Sequence, residues 1–208
     1  VAAHSLLTYV AMQERRFEDA LSEGARAVAL HPGEADAYHM LAMARIYNGE
    51  FAEGVRLEQR SLRLNPLALE NSLVELGRAY FHLGRFDDAI TVLERVYCAK
   101  PNWLTAHTLL VGCHSQTGHT ELAAHAASKI LRIRPNFSIA WWSGSQLYRR
   151  SEDLECHLAS LHAAGLPAGA SRHGSRAPPE PEAELPMVVV DRPSMAVLTA
   201  TEWSKAVP

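Results

Sequence analysis

The sequence predicts an all-α protein, a solenoid of antiparallel helix pairs, because three kinds of residue recur with a period close to 34. The first kind is proline. Four prolines, spaced by 34, 35 and 34 residues, each follow an apolar helical pattern. A residue without an amide proton ends a helix there at least cost. These prolines are Pro32, Pro66, Pro101 and Pro135.

Glycines and other small residues repeat in phase with the prolines. The glycines are Gly49, Gly84 and Gly118. Glycine readily adopts the left-handed conformation that closes a helix, so each one predicts a tight turn between two helices. The first unit has Arg15 at the matching place. Small residues twelve apart, such as Gly77 and Ala89, let two antiparallel helices approach closely.

These series predict four helix pairs in succession, over residues 1–34, 35–68, 70–103 and 104–137. One pair cannot bury its apolar face alone, so neighbouring pairs must stack and the array needs capping helices at its end. Residues 138–167 supply them. A further first-type helix is predicted over residues 137–148, and a closing helix follows, with Glu152 and Asp153 in its first turn and Gly165 as its stop.

The tail over residues 168–208 has a different composition. It carries six of the eleven prolines and predicts disorder. Its apolar cluster at residues 187–190, together with Trp203, leaves open a short segment that folds onto a partner or back onto the array.

Period, paired helices, small residues and terminal prolines together resemble the tetratricopeptide repeat family. The third unit carries the resemblance best, with Leu76-Gly77-Arg78-Ala79-Tyr80, then Gly84-Arg85-Phe86-Asp87-Asp88-Ala89, and Pro101. The resemblance covers about the first 135 residues. It implies a right-handed superhelical solenoid whose first-type helices line a concave groove for an extended or helical partner segment.

The matching faces of these helices give the candidate site. An apolar floor in the middle units would be flanked by polar guides, a mixture typical of binding hot spots. The predicted partner-binding residues are Tyr9, Met12, His39, Met43, Tyr47, Arg78, Phe81 and His82. The alternative is that some of them are ordinary stacking contacts between units. Groups that would clamp a peptide carboxylate, as in chaperone-binding members, are replaced by Tyr9, Met43 and Arg78, so a chaperone tail is not favoured.

Composition narrows the partner to a protein or peptide. The 208 residues carry a formal charge of -3, which disfavours nucleic acid. No apolar run approaches the roughly 18 residues needed to span a membrane. Three widely spaced cysteines, Cys98, Cys113 and Cys156, do not form a disulfide framework and fit a reducing, cytoplasmic compartment.

Catalytic spacing is missing from the sequence. It has no G-x-S-x-G elbow, glycine-rich phosphate loop or H-E-x-x-H helix, so the chain is predicted not to be an enzyme and to need no cofactor. A metal-responsive array using His107, His114 and neighbouring histidines is a minor alternative, because the residues do not converge at ligand spacing.

A second alternative comes from the stretch that contains Phe137-Ser138-Ile139-Ala140, residues 147–155 and residues 158–167. It is similar to the ending of tetratricopeptide regions that follow a class III adenylate or guanylate cyclase domain, or a winged-helix domain, in bacterial proteins. This similarity implies a regulatory C-terminal fragment of a nucleotide cyclase or transcriptional regulator. The first residue, Val1, is compatible with such a fragment.

Overall fold

The computed structural model describes residues 2–67 and 69–169, and this part of the chain forms ten α-helices and no strand. Each predicted unit contains one helix pair. The helices are α1 (Ala2–Gln13), α2 (Phe17–Leu30), α3 (Ala35–Tyr47), α4 (Phe51–Leu64), α5 (Leu69–His82), α6 (Phe86–Ala99), α7 (Leu104–Gln116), α8 (Thr120–Ile133), α9 (Ile139–Gly144) and α10 (Ser151–Ala163). The all-α solenoid prediction is confirmed.

The turns within the pairs have the backbone that the glycines predicted. Gly49, Gly84 and Gly118 lie at φ +90°, +70° and +75°, a region that costs a side chain roughly 1–2 kcal/mol. In the first pair Arg15 occupies the same position at φ +58° and is the one non-glycine residue with positive φ in the described chain. The hydrogen bonds that the Arg15 side chain makes with residues 146 and 148 account for an arginine in this backbone conformation.

The helices form two layers. Helices α1, α3, α5 and α7 contact their counterparts in neighbouring units, whereas α2, α4 and α6 contact their own partner and the following first-type helix, and α8 contacts α7. The first-type helices therefore lie on the inner, tighter side of the curve. A core rich in Leu, Val, Ile and Ala side chains runs continuously from α3 to α10. Such a core is expected because a single helix pair cannot bury its apolar face without a neighbour.

The C-terminal cap differs from its prediction. Helix α9 covers only residues 139–144, not 137–148. Ser138 caps its start by accepting from the Trp141 amide, but after Gly144 the chain leaves the helix and crosses the inner face as irregular backbone. Long-range contacts with the first three units override the apolar helical pattern of this stretch.

Helix α10 follows the crossing segment, and Gly165 at φ +80° ends it as predicted. Its first turn carries Glu152 and Asp153. The predicted disordered tail lies outside the described residues from position 170 onward. Within the described part, the helices are too short or too polar to cross a bilayer.

Candidate interaction surface

The inner face of the array is covered by the chain's own C-terminal segment. Helix α10 lies on α7, where the His157 ring nitrogen Nε2 donates to the Thr108 carbonyl at 2.9 Å. Ser115 donates through its hydroxyl to the Ser160 carbonyl at 3.2 Å, and the Gln116 amide donates to the Ser160 hydroxyl at 3.1 Å. Side chains on the inner surface of unit four therefore serve a helix of the same molecule.

Residues 146–150, here called the strap, cross the inner face of the first three units. The Arg15 guanidinium donates to the Gln146 carbonyl at 3.0 Å and to the Tyr148 carbonyl at 3.3 Å. The Arg149 amide donates to the Tyr47 carbonyl at 2.9 Å. Three main-chain groups of the strap are thus satisfied by the array, in the way that a repeat protein would hold an extended peptide.

Tyr148 anchors the strap. Its side chain is 4% exposed and lies edge-on to Tyr47, with ring centroids 5.6 Å apart. Its hydroxyl accepts from Arg78 Nη1 at 3.0 Å and is 2.9 Å from His82 Nε2. Arg78 can only donate, so the hydroxyl accepts from it, and the direction of the hydrogen bond with His82 is set by the tautomer of the imidazole ring.

Burial sets the protonation of this pocket. Desolvation, together with the nearby charges of His157, Arg78 and Arg150, lowers the pKa of His82 to about 3. Desolvation likewise raises the pKa of the Tyr148 hydroxyl against the opposing effect of Arg78. Both groups are therefore neutral near pH 7, which is the state that their shared hydrogen bond needs.

Arg78 is the central cation of the pocket and is 2% exposed. Its Nε donates to Glu75 Oε2 at 2.9 Å, and Nη1 approaches Gln146 Oε1 at 3.4 Å. The guanidinium lies 5.0 Å from the Tyr47 ring centroid and 5.6 Å from that of Tyr148. Desolvation opposes the charge, but Glu75 and the tyrosines raise the Arg78 pKa well above its usual value, so the pocket keeps one fixed positive charge.

Two arginines of the strap reach the rim. Arg149 donates to Glu18 Oε1 at 2.6 Å and to Asn48 Oδ1 at 2.8 Å. Arg150 donates to the Gly49 carbonyl at 3.3 Å and pairs with Asp153 at the start of α10. The guanidinium of Arg150 occupies the space where a side chain on Gly49 would lie. The turns of units one and two therefore accept a pair of consecutive basic residues.

Most predicted site residues lie around the strap. Met12, Met43 and Tyr47 form one buried cluster with Tyr148, and half-buried Tyr9 packs against it. Arg78 and His82 hydrogen-bond to the Tyr148 hydroxyl. The inner surface that the sequence assigned to a partner segment is, in this structure, in contact with residues of the same chain.

The other two predicted residues have contacts within the array. His39 Nδ1 lies 2.8 Å from Glu58 Oε1 on α4 and 3.4 Å from the Ser72 hydroxyl on α5. Although burial opposes it, the fully buried Glu58 carboxylate raises the His39 pKa to about 9. Phe81 packs on Phe86 within the array and also on His157 of α10, with ring centroids 5.9 and 5.1 Å apart. Their place in a partner site stays a prediction.

Sequence reasoning missed Arg15, Glu18 and Asn48, which also hold the strap, and the strap residues themselves. Arg15 is an exception in the glycine series, and that exception is the available signal. Glu18 and Asn48 look like ordinary exposed turn residues in the sequence. Tyr148 and Arg149 fall in or directly after a predicted helix, because nothing local distinguishes them from helical residues.

His107, the main residue of the metal-binding alternative, has a structural role. The His107 ring nitrogen Nε2 lies 2.8 Å from the Pro101 carbonyl, and burial lowers its pKa. Among residues 2–67 and 69–169, no three His, Cys, Asp or Glu side chains are grouped as metal ligands. The described cysteines are unpaired thiols, with Cys113 buried and Cys98 and Cys156 exposed.

A protein-family model matches the middle of the chain. Residues 39–102, which span α3 to α6, match the tetratricopeptide repeat model. The chain has a tetratricopeptide repeat fold. The matched residues contain the second and third units, which are also the units whose sequences resemble the family best. A search of curated protein sequences finds no match to the chain.

Solved tetratricopeptide structures share the architecture at low sequence identity. MamA 41-end from Desulfovibrio magneticus RS-1 is 17% identical with a TM-score of 0.58, covering 78% of this chain and 92% of that one. TTC0263, a thermophilic protein of Thermus thermophilus, is 19% identical with a TM-score of 0.58, covering 77% and 80%. YrrB, described as having an unusual peptide-binding site, is 19% identical with a TM-score of 0.55, covering 77% and 82%. These likenesses support the tetratricopeptide fold and no particular partner.

Proposed function

We propose that this chain is a non-catalytic protein-interaction scaffold whose inner face holds a segment of a partner protein. The observation that carries the proposal is the set of contacts made by Arg15 and Tyr47. Their guanidinium and carbonyl groups pair with main-chain groups at residues 146, 148 and 149. Main-chain pairing of this kind gives affinity for an extended segment, and a side-chain pocket gives it specificity.

The buried polar groups of the inner face support binding in preference to catalysis. Arg78, His82 and Tyr148 pair with one another through the Tyr148 hydroxyl. Tyr148 is only 4% exposed, so this network fixes the position of the strap and does not present a nucleophile to solvent. We therefore assign the tetratricopeptide array to recognition of a protein or peptide, with the cytoplasm as the predicted location.

Site-specific photo-crosslinking tests the proposal. A benzoylphenylalanine probe would replace half-buried Tyr9 beside the strap cluster, and a matched probe would replace exposed Thr91 on outer helix α6. We expect proteins cross-linked from Tyr9 and absent from Thr91 in cells that express the full chain. Equal products from both positions, or none from Tyr9, would contradict a partner site on the inner face.

The second candidate is a regulatory fragment of a bacterial nucleotide cyclase or transcriptional regulator. It is supported by the sequence similarity over residues 137–140, 147–155 and 158–167 alone. The reading frame upstream of Val1 tests it directly. A cyclase or winged-helix domain continuous with this frame is the expected result for that candidate, and an unrelated upstream frame would remove it.

A further inference from the structure

We propose that the strap is a built-in competitor for the inner face, and that the partner segment it excludes has the same chemistry, a Gln-x-Tyr-Arg-Arg sequence without helical structure. This inference rests on the proposed function, because it names the class of segment that the same surface binds. The occupant is read from the chain's own residues 146–150, which are the segment seated there.

Each position of that sequence has a defined receptor. The carbonyls of the first and third residues accept from the Arg15 guanidinium, and the amide of the fourth donates to the Tyr47 carbonyl. This spacing fixes the direction of the segment across the first two units. A segment running the other way would present its carbonyls and amide to the wrong partners.

The third residue must be tyrosine. The pocket offers one obligatory donor, Arg78 Nη1, and one ring nitrogen, His82 Nε2, both within 3.0 Å of the phenol oxygen. Phenylalanine would leave His82 Nε2 without this partner and Arg78 Nη1 with only its 3.4 Å contact to Gln146 Oε1. A buried mismatch of this kind gives strong discrimination. Tyr47 adds an edge-on aromatic contact that an aliphatic side chain would lose.

The fourth and fifth residues must be basic. Arg149 meets Glu18 and Asn48, and Arg150 meets the Gly49 carbonyl at the mouth of the turn. A guanidinium suits these acceptors because it presents several donors in one plane. Acidic residues at these positions would face Glu18 and exposed carbonyl groups.

The strap is held in a way that permits exchange. It is irregular backbone between α9 and α10, and both of its arginines are about half exposed. A second segment binds only when the strap leaves, so the tether acts as a local competitor at an effective concentration on the order of millimolar. The intact chain should therefore bind such a segment weakly, and a chain with a weakened strap should bind it tightly.

Peptide binding to the full chain tests the inference. The probe is a fluorescent Ser-Gln-Leu-Tyr-Arg-Arg-Ser peptide, followed by anisotropy, with wild type compared with Tyr148→Ala and Arg149→Glu. Arg149→Glu loosens the strap at an exposed position and places a second acid beside Glu18. Its matched control is Arg85→Glu, an exposed arginine that pairs with Asp88 in the outer turn before α6.

We expect both strap variants to bind the peptide at least about tenfold more tightly than wild type and Arg85→Glu. A peptide with Phe in place of Tyr, and a scrambled peptide, should bind at least about tenfold more weakly than the probe. Far-UV circular dichroism identifies any variant that has lost its helices, and the other strap variant then decides the outcome.

Three results would overturn the inference. If the peptide binds the strap variants no more tightly than wild type, the strap does not compete for the inner face. Equal binding of the scrambled peptide removes the sequence preference. Dimers in light scattering that disappear in the strap variants would mean that the strap is exchanged between two copies. Peptide binding without cross-linked partners at Tyr9 would instead count against the proposed function alone.

Discussion

At the scale of single residues, Arg15 connects local strain with a long-range contact. It adopts φ +58° where the other three turns use glycine. The left-handed region costs a residue with a side chain roughly 1–2 kcal/mol. The guanidinium reaches residues 131 and 133 positions away in the sequence. The strained turn is explained by the clamp on the strap.

Replacing this arginine separates the two roles. Arg15→Gly should relieve about 1 kcal/mol of backbone strain while removing both hydrogen bonds to the strap. We expect little net change in the free energy of unfolding in urea, but faster hydrogen exchange at the Arg149 amide. A gain of the full strain energy with unchanged exchange would show that Arg15 is only a turn residue.

The buried histidines predict an acid-sensitive fold. Burial lowers the pKa of His82 and His157 to about 3, against 6.5 in the unfolded chain. The unfolded state therefore binds more protons than the folded state between those values, and stability falls as pH decreases below about 6.5. Each histidine contributes up to about 1.4 kcal/mol per pH unit.

This loss is measurable by urea unfolding between pH 7 and 5.5. His82→Gln should reduce the slope of stability against pH, because a glutamine amide can hydrogen-bond to Tyr148 without titrating. His125→Gln, at an exposed position on α8, is the control and should keep the wild-type slope. Equal slopes in wild type and His82→Gln would contradict the assignment.

At the scale of helices, close packing depends on glycines inside the pairs. A Cβ on Gly77 of α5 would lie 2.7 Å from Leu93 Cγ on α6, and Leu93 is fully buried. The two helices approach closely because position 77 lacks a side chain. The same contact explains why small residues recur in phase with the turns.

Gly77→Ala therefore tests the packing of a pair. We expect a loss of about 1–2 kcal/mol in the free energy of unfolding, since overpacking exceeds the gain in helix propensity. Gly33→Ala is the matched change, because nothing lies within 4 Å of its added carbon. That variant should be neutral or stabilised by up to about 1 kcal/mol. Similar losses of stability in both variants would mean that backbone freedom, and not packing, determines the change in the free energy of unfolding.

At the scale of the whole molecule, the C-terminal segment closes the inner face. Trp142 and Leu161 are almost completely buried and join the core that runs through α5 to α8. In an array stabilised by nearest neighbours, such a segment is unusual because it contacts units far from it in the chain. The C-terminal segment contacts the first unit through Arg15 and the fourth unit through Thr108.

Truncation tests whether these contacts stabilise the array. A chain ending at Ser138 should keep most of its helical circular dichroism but melt at a lower temperature and over a broader range. A chain ending at Gly169 is the control, and it is expected to melt like the full chain. A Ser138 truncation that melts like the full chain would contradict a stabilising role for residues 139–169.

The sequence alone determined the period, the positions of the turns and the pairing of helices, because these depend on contacts within one unit and its neighbour. It also assigned Tyr47, Arg78 and His82 to the inner face from their place in the repeat. Only the tertiary structure decided that residues 146–150 leave the helical pattern and cover that face. Their contacts join residues 66 to 133 positions apart, and no local periodicity encodes a pairing over such separations.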